Sequence, residues 1–84
     1  MKLNAVIIGV HDFVSQKGTP WRVIYANVDM PQSDDDIGKR ATTIFQGNKD
    51  DYYNADKETL LGAECKVCSV SGKDAIAYIP AVDD

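Results

Sequence analysis

Apolar and polar residues alternate along most of the chain, and glycine, proline and aspartate break the alternation at intervals. LNAVIIGVHDFV, at 3–14, is rich in β-branched residues and predicts a long first strand. Val6, Ile8 and Val10 share one face of it, and Leu3, Ile7 and Phe13 the other. Apolar side chains on both faces suit a strand that curves and is buried on different sides along its length. Gly9 predicts a bulge or sharp bend. Ser15 to Pro20 reads as a turn punctuated by Gly18 and Pro20.

WRVIYANVDM, at 21–30, predicts the second strand. Ile24, Ala26, Val28 and Met30 form an apolar inward face. Trp21, Val23, Tyr25, Asn27 and Asp29 form a mixed outward face. PQSDDDIG follows as an exposed loop. KRATTIFQ, at 39–46, is a Thr-rich third strand. Its facing is ambiguous: with Ala41, Thr43 and Phe45 inward, Arg40, Thr42, Ile44 and Gln46 point out. After a loop at 47–55, DKETLLG predicts one short helix. Asn54 or Asp56 caps it, Leu60 and Leu61 pack inward, and Gly62 ends it. AECKVCSV is a fourth strand, SGKD a tight turn, and AIAYIP a fifth strand that stops at Pro80. AVDD is an acidic tail.

The expected class is therefore all-β with one short helix, in the order β-β-β-α-β-β. That order matches the five-stranded Greek-key barrel called the OB-fold, which commonly carries a helix between strands three and four. An SH3-like small barrel is the main rival, and it usually lacks that helix. With 84 residues and no repeats or low-complexity tracts, a single domain over 1–84 is expected. No apolar run reaches the roughly 18–20 residues that span a bilayer. MKLNAVIIGVHD lacks the long apolar region and cleavage site of a signal peptide. A cytoplasmic protein with no membrane partner is expected.

The net charge is -4, which taken alone argues against a nucleic-acid partner. The acids are clustered, however. Asp34–Asp36, Asp50–Asp51 and Asp83–Asp84 lie in predicted loops or at the end of the chain. Setting these seven aside leaves six acids against nine bases.

Cys65 and Cys68 form a lone C-x-x-C, with one histidine, His11, in the whole chain. A four-ligand zinc site needs more donors. On a strand the two thiols would point to opposite faces. Free thiols are expected, with metal or redox chemistry as a lesser alternative. No strained nucleophile turn, acid–base pair or phosphate-binding glycine loop is present. The expectation is a non-enzyme with no catalytic residue, cofactor or metal.

OB-folds bind ligands on strands two and three, between the loop joining strands one and two and the loop joining strands four and five. On that frame the outward rings are Trp21 and Tyr25. The nearby cations are Lys17 in the first loop, Arg22 on strand two, Lys39 and Arg40 on strand three, and Lys73 in the last turn. Aromatic rings stack on bases of any sequence, at roughly 1–3 kcal/mol per base, and cations meet phosphates. The expected partner is single-stranded nucleic acid, DNA ahead of RNA. A protein–protein interaction module on the same barrel is the alternative. Each selected residue also has a plainer reading, as barrel-end core for Trp21, a surface ring for Tyr25 and solvated cations for the rest. Tyr52 and Tyr53 are expected to pack against the helix.

The stretch SQKGTPW…VD, through Ser15, Gly18, Pro20, Trp21, Val28 and Asp29, resembles the small single-stranded DNA-binding proteins of filamentous phages, the gene V type. The Gly-containing hairpin followed by a strand into Pro80-Ala81 is similar too. The likeness covers about a third of the chain. It implies an OB-type barrel, a homodimer, and cooperative DNA binding in the replication or transfer of a phage or mobile element. It also implies DNA contacts at Trp21 and Lys17. Where that family presents an aromatic at the hairpin tip, this chain has Gly72-Lys73.

Overall fold

The computed structural model describes residues 2–30, 38–50, 54–70 and 72–83. Over these residues the chain runs β1 (Lys2–Val14), β2 (Pro20–Asp29), β3 (Lys39–Asn48), α1 (Lys57–Leu60), β4 (Glu64–Val70), β5 (Lys73–Tyr78) and α2 (Pro80–Asp83). The strands form one antiparallel sheet ordered β3-β2-β1-β4-β5. The sheet curls, bringing its edge strands β3 and β5 together, and they are bridged by a fork between Arg40 and Asp74. Mostly antiparallel β structure with very short helices is what the alternation predicted. No helix among the described residues is long and apolar enough to cross a membrane.

Of three bulges among the described residues, two flank β2 and shape the curl, and the other leaves Ala77 extra between β4 and β5. In β1 the register against β2 slips between Ile7 and Gly9, leaving Ile8 as the extra residue. In β3 it slips opposite Ile24 and Tyr25, leaving Ile44 extra. Both lie beside the middle of β2, which stays regular. A bulge adds twist and bends its strand, so the sheet folds over this point from both sides.

The first bulge also inverts the facing of β1. Leu3, Ala5 and Ile7 face the core before it, and Val10 and Asp12 face the same side after it. The sequence expectation put Phe13 with Leu3 and Ile7. One inserted residue moves it to the opposite face. The facing expected for β3 holds after its bulge, where Phe45 packs against the core and Gln46 is exposed, and is reversed before it. Ile44 is buried, whereas Ala41 and Thr43 are exposed. Opposite residues of an antiparallel pair share a face, and Arg40 and Thr42 stand opposite the buried Val28 and Ala26.

The core is Ala5, Ile7, Ile24, Ala26, Val28, Ile44, Leu60, Cys65, Val67 and Ile79. Leu60 is buried as expected, but its neighbour Leu61 is exposed. A single helical turn has room for one inward leucine, and Leu61 has already left helical geometry at φ -63°, ψ 123°. Asp56 occupies the N-cap position without a capping side-chain bond. Gly62, at φ +82°, turns the chain back to β1, donating its N–H to the Ile7 carbonyl at 2.8 Å. The expected tail is instead the short helix α2, whose Val82 packs against the core. The aspartate run 34–36 and the pair Tyr52–Tyr53 lie outside the described residues.

Candidate nucleic-acid interface

The β1–β2 hairpin closes through Ser15–Thr19. Ser15 N–H donates to the Thr19 carbonyl at 2.9 Å, and Gly18 N–H donates to the Ser15 carbonyl at 2.9 Å. Thr19 N–H reaches the Ser15 hydroxyl oxygen at 3.1 Å. Gly18 adopts φ +81°, the left-handed position such a turn requires. Lys17 is thereby exposed at the tip.

On regular β2 the even-numbered residues 22–28 are all buried. Trp21, Tyr25 and Asp29 therefore share the outer face. Tyr25 is 40 % exposed and Trp21 half-buried. Four residues of strand separate the two rings, about 13 Å. Tyr25 pairs with Gly9, and its ring lies against that glycine: an added Cβ would meet its Cδ2 at 3.5 Å.

The five selected cations part company. Arg22 is 1 % exposed. Its Nε donates to Asp12 Oδ1 at 2.7 Å, Nη2 to Asp12 Oδ2 at 2.9 Å, and Nη1 to the Ala55 carbonyl at 2.7 Å. Beside Trp21 in sequence, it points to the opposite face of the strand, so the phosphate contact expected of it gives way to an internal role. Arg40 also turns inward. It makes a fork with Asp74, Nη1 to Oδ2 at 2.5 Å and Nη2 to Oδ1 at 2.7 Å. These bonds hold its guanidinium above its already high ordinary pKa, so it stays charged at every working pH. Lys39 is exposed and sits 3.6 Å from Asp29 across the strand pair. It lines a hollow of about 330 Å³ with Asp29, Glu64, Lys66 and Tyr78. Lys17 and Lys73 are exposed and make no salt bridge among the described residues.

Trp21 and Lys73 come together. An open groove of about 690 Å³ runs between β3 and the start of β5. Trp21, Arg40, Thr43 and Gln46 of β2 and β3 line it together with Gly72, Lys73 and Asp74 at the start of β5, so the Arg40–Asp74 fork lies within the groove. The site that forms is thus Lys17 at the hairpin tip, Trp21 and Tyr25 on the outer face, and Lys73 across the groove.

Two rings beyond the selected residues join this face. In the β1–β2 register Phe13 stands opposite Trp21 and His11 opposite Val23. The turn itself carried the signal. A hairpin centred on Lys17 pairs residues equidistant from it, which puts Phe13 against Trp21 without reference to the bulge.

Asp12 anchors the Arg22 network from a part-buried position, with Lys49 Nζ 3.6 Å away. The hydrogen bonds from Arg22, helped by the positive charge of Arg22, Lys49 and Lys57, hold its carboxyl below the ordinary value of 3.8, against a smaller opposing effect of burial. A depressed pKa contributes stability that is fully present above the unfolded value and is lost as pH falls through the folded one. The urea midpoint should therefore hold down to about pH 4 and then decline. Asp12→Asn should start lower at pH 7 and decline less on acidification. Parallel acid slopes for the two proteins would remove Asp12 from that account.

Cys65 is a free, buried thiol, and burial raises its pKa, leaving it protonated and unreactive. Cys68 is free and part-buried. Among the described residues no group of three or more His, Cys, Asp or Glu could hold a metal ion. Comparisons with protein-family models, curated proteins and solved structures return no match for this chain.

Proposed function

We propose that the protein binds single-stranded nucleic acid without strong sequence preference, DNA ahead of RNA. The observation that carries this reading is the placement of Trp21 and Tyr25 on one outward face, with the exposed cations Lys17 and Lys73, which make no salt bridge among the described residues, on either side. Rings that accept any base and cations that meet phosphates are what sequence-tolerant single-strand binding needs. The proposed architecture is an OB-type barrel. The sheet order β3-β2-β1-β4-β5, with its edges linked by Arg40 and Asp74, supports that reading. So does a site flanked by the β1–β2 and β4–β5 loops. A homodimer coating DNA in the replication or transfer of a phage or mobile element, in the cytoplasm, completes the proposal on the resemblance described above.

Trp21 is the only tryptophan, so its fluorescence reports the test directly. Oligo-dT should quench it at micromolar protein in low salt, and binding should weaken with salt. Each phosphate neutralised contributes roughly 0.7 to the log–log slope for a single strand. Lys17→Ala and Lys73→Ala should each lower that slope by about 0.7, one phosphate contact apiece. Oligo-U in parallel separates DNA from RNA preference. Absence of quenching at low salt would overturn the reading.

The internal engagement of Arg22 and Arg40 favours a second reading. With two of the five selected cations withdrawn and a net charge of -4, the same aromatic face suits a protein partner. Wild-type protein that ignores oligo-dT while Tyr25→Ala alters its association with another protein would favour that reading.

A further inference from the structure

We propose that Phe13 is an additional base-stacking residue, so that the nucleic acid crosses the outer face of β1 as well as that of β2. This rests on the single-strand reading above. Phe13 is the cross-strand partner of Trp21, and the bulge at Ile8 turns it outward. Its ring is 42 % exposed and lies outside the core cluster. His11 stacks on it, with ring centroids 5.3 Å apart and planes inclined by 29°.

That geometry suits a stacking platform better than a packing role. A ring serving only to fill space loses free energy by leaving so much apolar area in water. One already held against His11 offers a π-face whose orientation is fixed before the ligand arrives, so little ordering is required on binding. Lys17 lies four residues from Phe13 and four from Trp21, so one cation at the tip serves phosphates beside both rings. The hairpin then presents an aromatic step two strands wide. Ile8 and Tyr25 continue the exposed apolar surface towards the middle of the sheet.

The test uses Phe13→Leu and Phe13→Tyr in the full chain, with anisotropy of labelled oligo-dT as the readout and thermal unfolding as the control. Leucine keeps apolar bulk and removes the π-face; tyrosine keeps both. Phe13→Leu should bind about 5- to 150-fold more weakly, the range for losing one stacked base. Phe13→Tyr should bind within a few-fold of wild type, and both variants should unfold near the wild-type temperature. Wild-type binding with Phe13→Leu unchanged overturns the role of Phe13 and leaves the single-strand reading intact. Equal losses in the leucine and tyrosine variants, or a change in self-association without a change in affinity, also overturn it. If wild-type protein does not bind, the single-strand reading itself fails.

Discussion

Arg22→Ala is expected to destabilise the protein by about 3–5 kcal/mol, the usual cost of removing one partner from a buried ion pair. The substitution leaves the Asp12 carboxylate with Lys49 Nζ, 3.6 Å away, as its one ion-pair partner among the described residues, and strands the Ala55 carbonyl. In the wild-type protein both accept hydrogen bonds from a guanidinium that is 1 % exposed. It also empties the volume of a large side chain beneath β2, which adds a cavity cost. For a chain of this size the melting temperature should fall by roughly 12 °C or more. Arg22→Lys keeps the charge but has no planar fork to satisfy both carboxylate oxygens, so it should recover only part of the loss. Circular dichroism during heating and urea titration measures both variants. A variant that melts like wild type yet binds oligo-dT more weakly would restore Arg22 to the surface role its neighbour Trp21 suggests.

Arg40→Ala is the second large effect, at about 2–4 kcal/mol. It falls below the full cost of breaking a buried pair because Arg40 is 39 % exposed and water reaches part of the fork. Asp74 sets the size, since its side chain is only 3 % exposed and would be left charged without its partner. The damage should be local. The fork joins the two edges of the curled sheet, so hydrogen exchange should accelerate in β3 and β5 before β1 or β2. Arg40→Ala/Asp74→Ala should be less damaging than Arg40→Ala alone, because no stranded charge remains. Uniform acceleration across all five strands would show that the fork does not act as a clasp between the edges.

The two arginines explain why charge is hard to assign from sequence. Both stand beside residues that the sequence selects for binding, Arg22 next to Trp21 and Arg40 next to Lys39. On a strand, adjacent residues face opposite sides, so neighbours in sequence are the residues least able to share a site. The alternation on β2 already requires that, given an inward Ile24, Ala26 and Val28. What it lacked was a partner for a buried guanidinium. Asp12 is ten residues away and Asp74 thirty-four, and no local pattern brings either close.

The single-strand reading and the role of Phe13 stand or fall on separate variants. The salt slopes of Lys17→Ala and Lys73→Ala test whether phosphates are met at all. Phe13→Leu tests how far across the sheet the bases extend. Neither involves Arg22, which is buried on the opposite face of β2. The Arg40–Asp74 fork lines the same groove as Trp21 and Lys73, so its variants are not used to test binding.

The sequence alone determined the strands and most of their inward residues. A period of two is a local property, and each strand records it independently of its neighbours. On β2 the inward set Ile24, Ala26 and Val28 and the outward set Trp21 and Tyr25 followed directly. On β4 the same held for Cys65 and Val67. Gly9 marked the bulge. Tertiary structure decided which residue each bulge inserts, because that depends on the register with the neighbouring strand. That choice set the two halves of β1 to opposite phases, so that Leu3 and Ile7 face the core while Phe13, placed opposite Trp21 by the hairpin, faces out. It also decided the fate of the arginines, since pairing with Asp12 and Asp74 exists only once the sheet has curled and its edges meet.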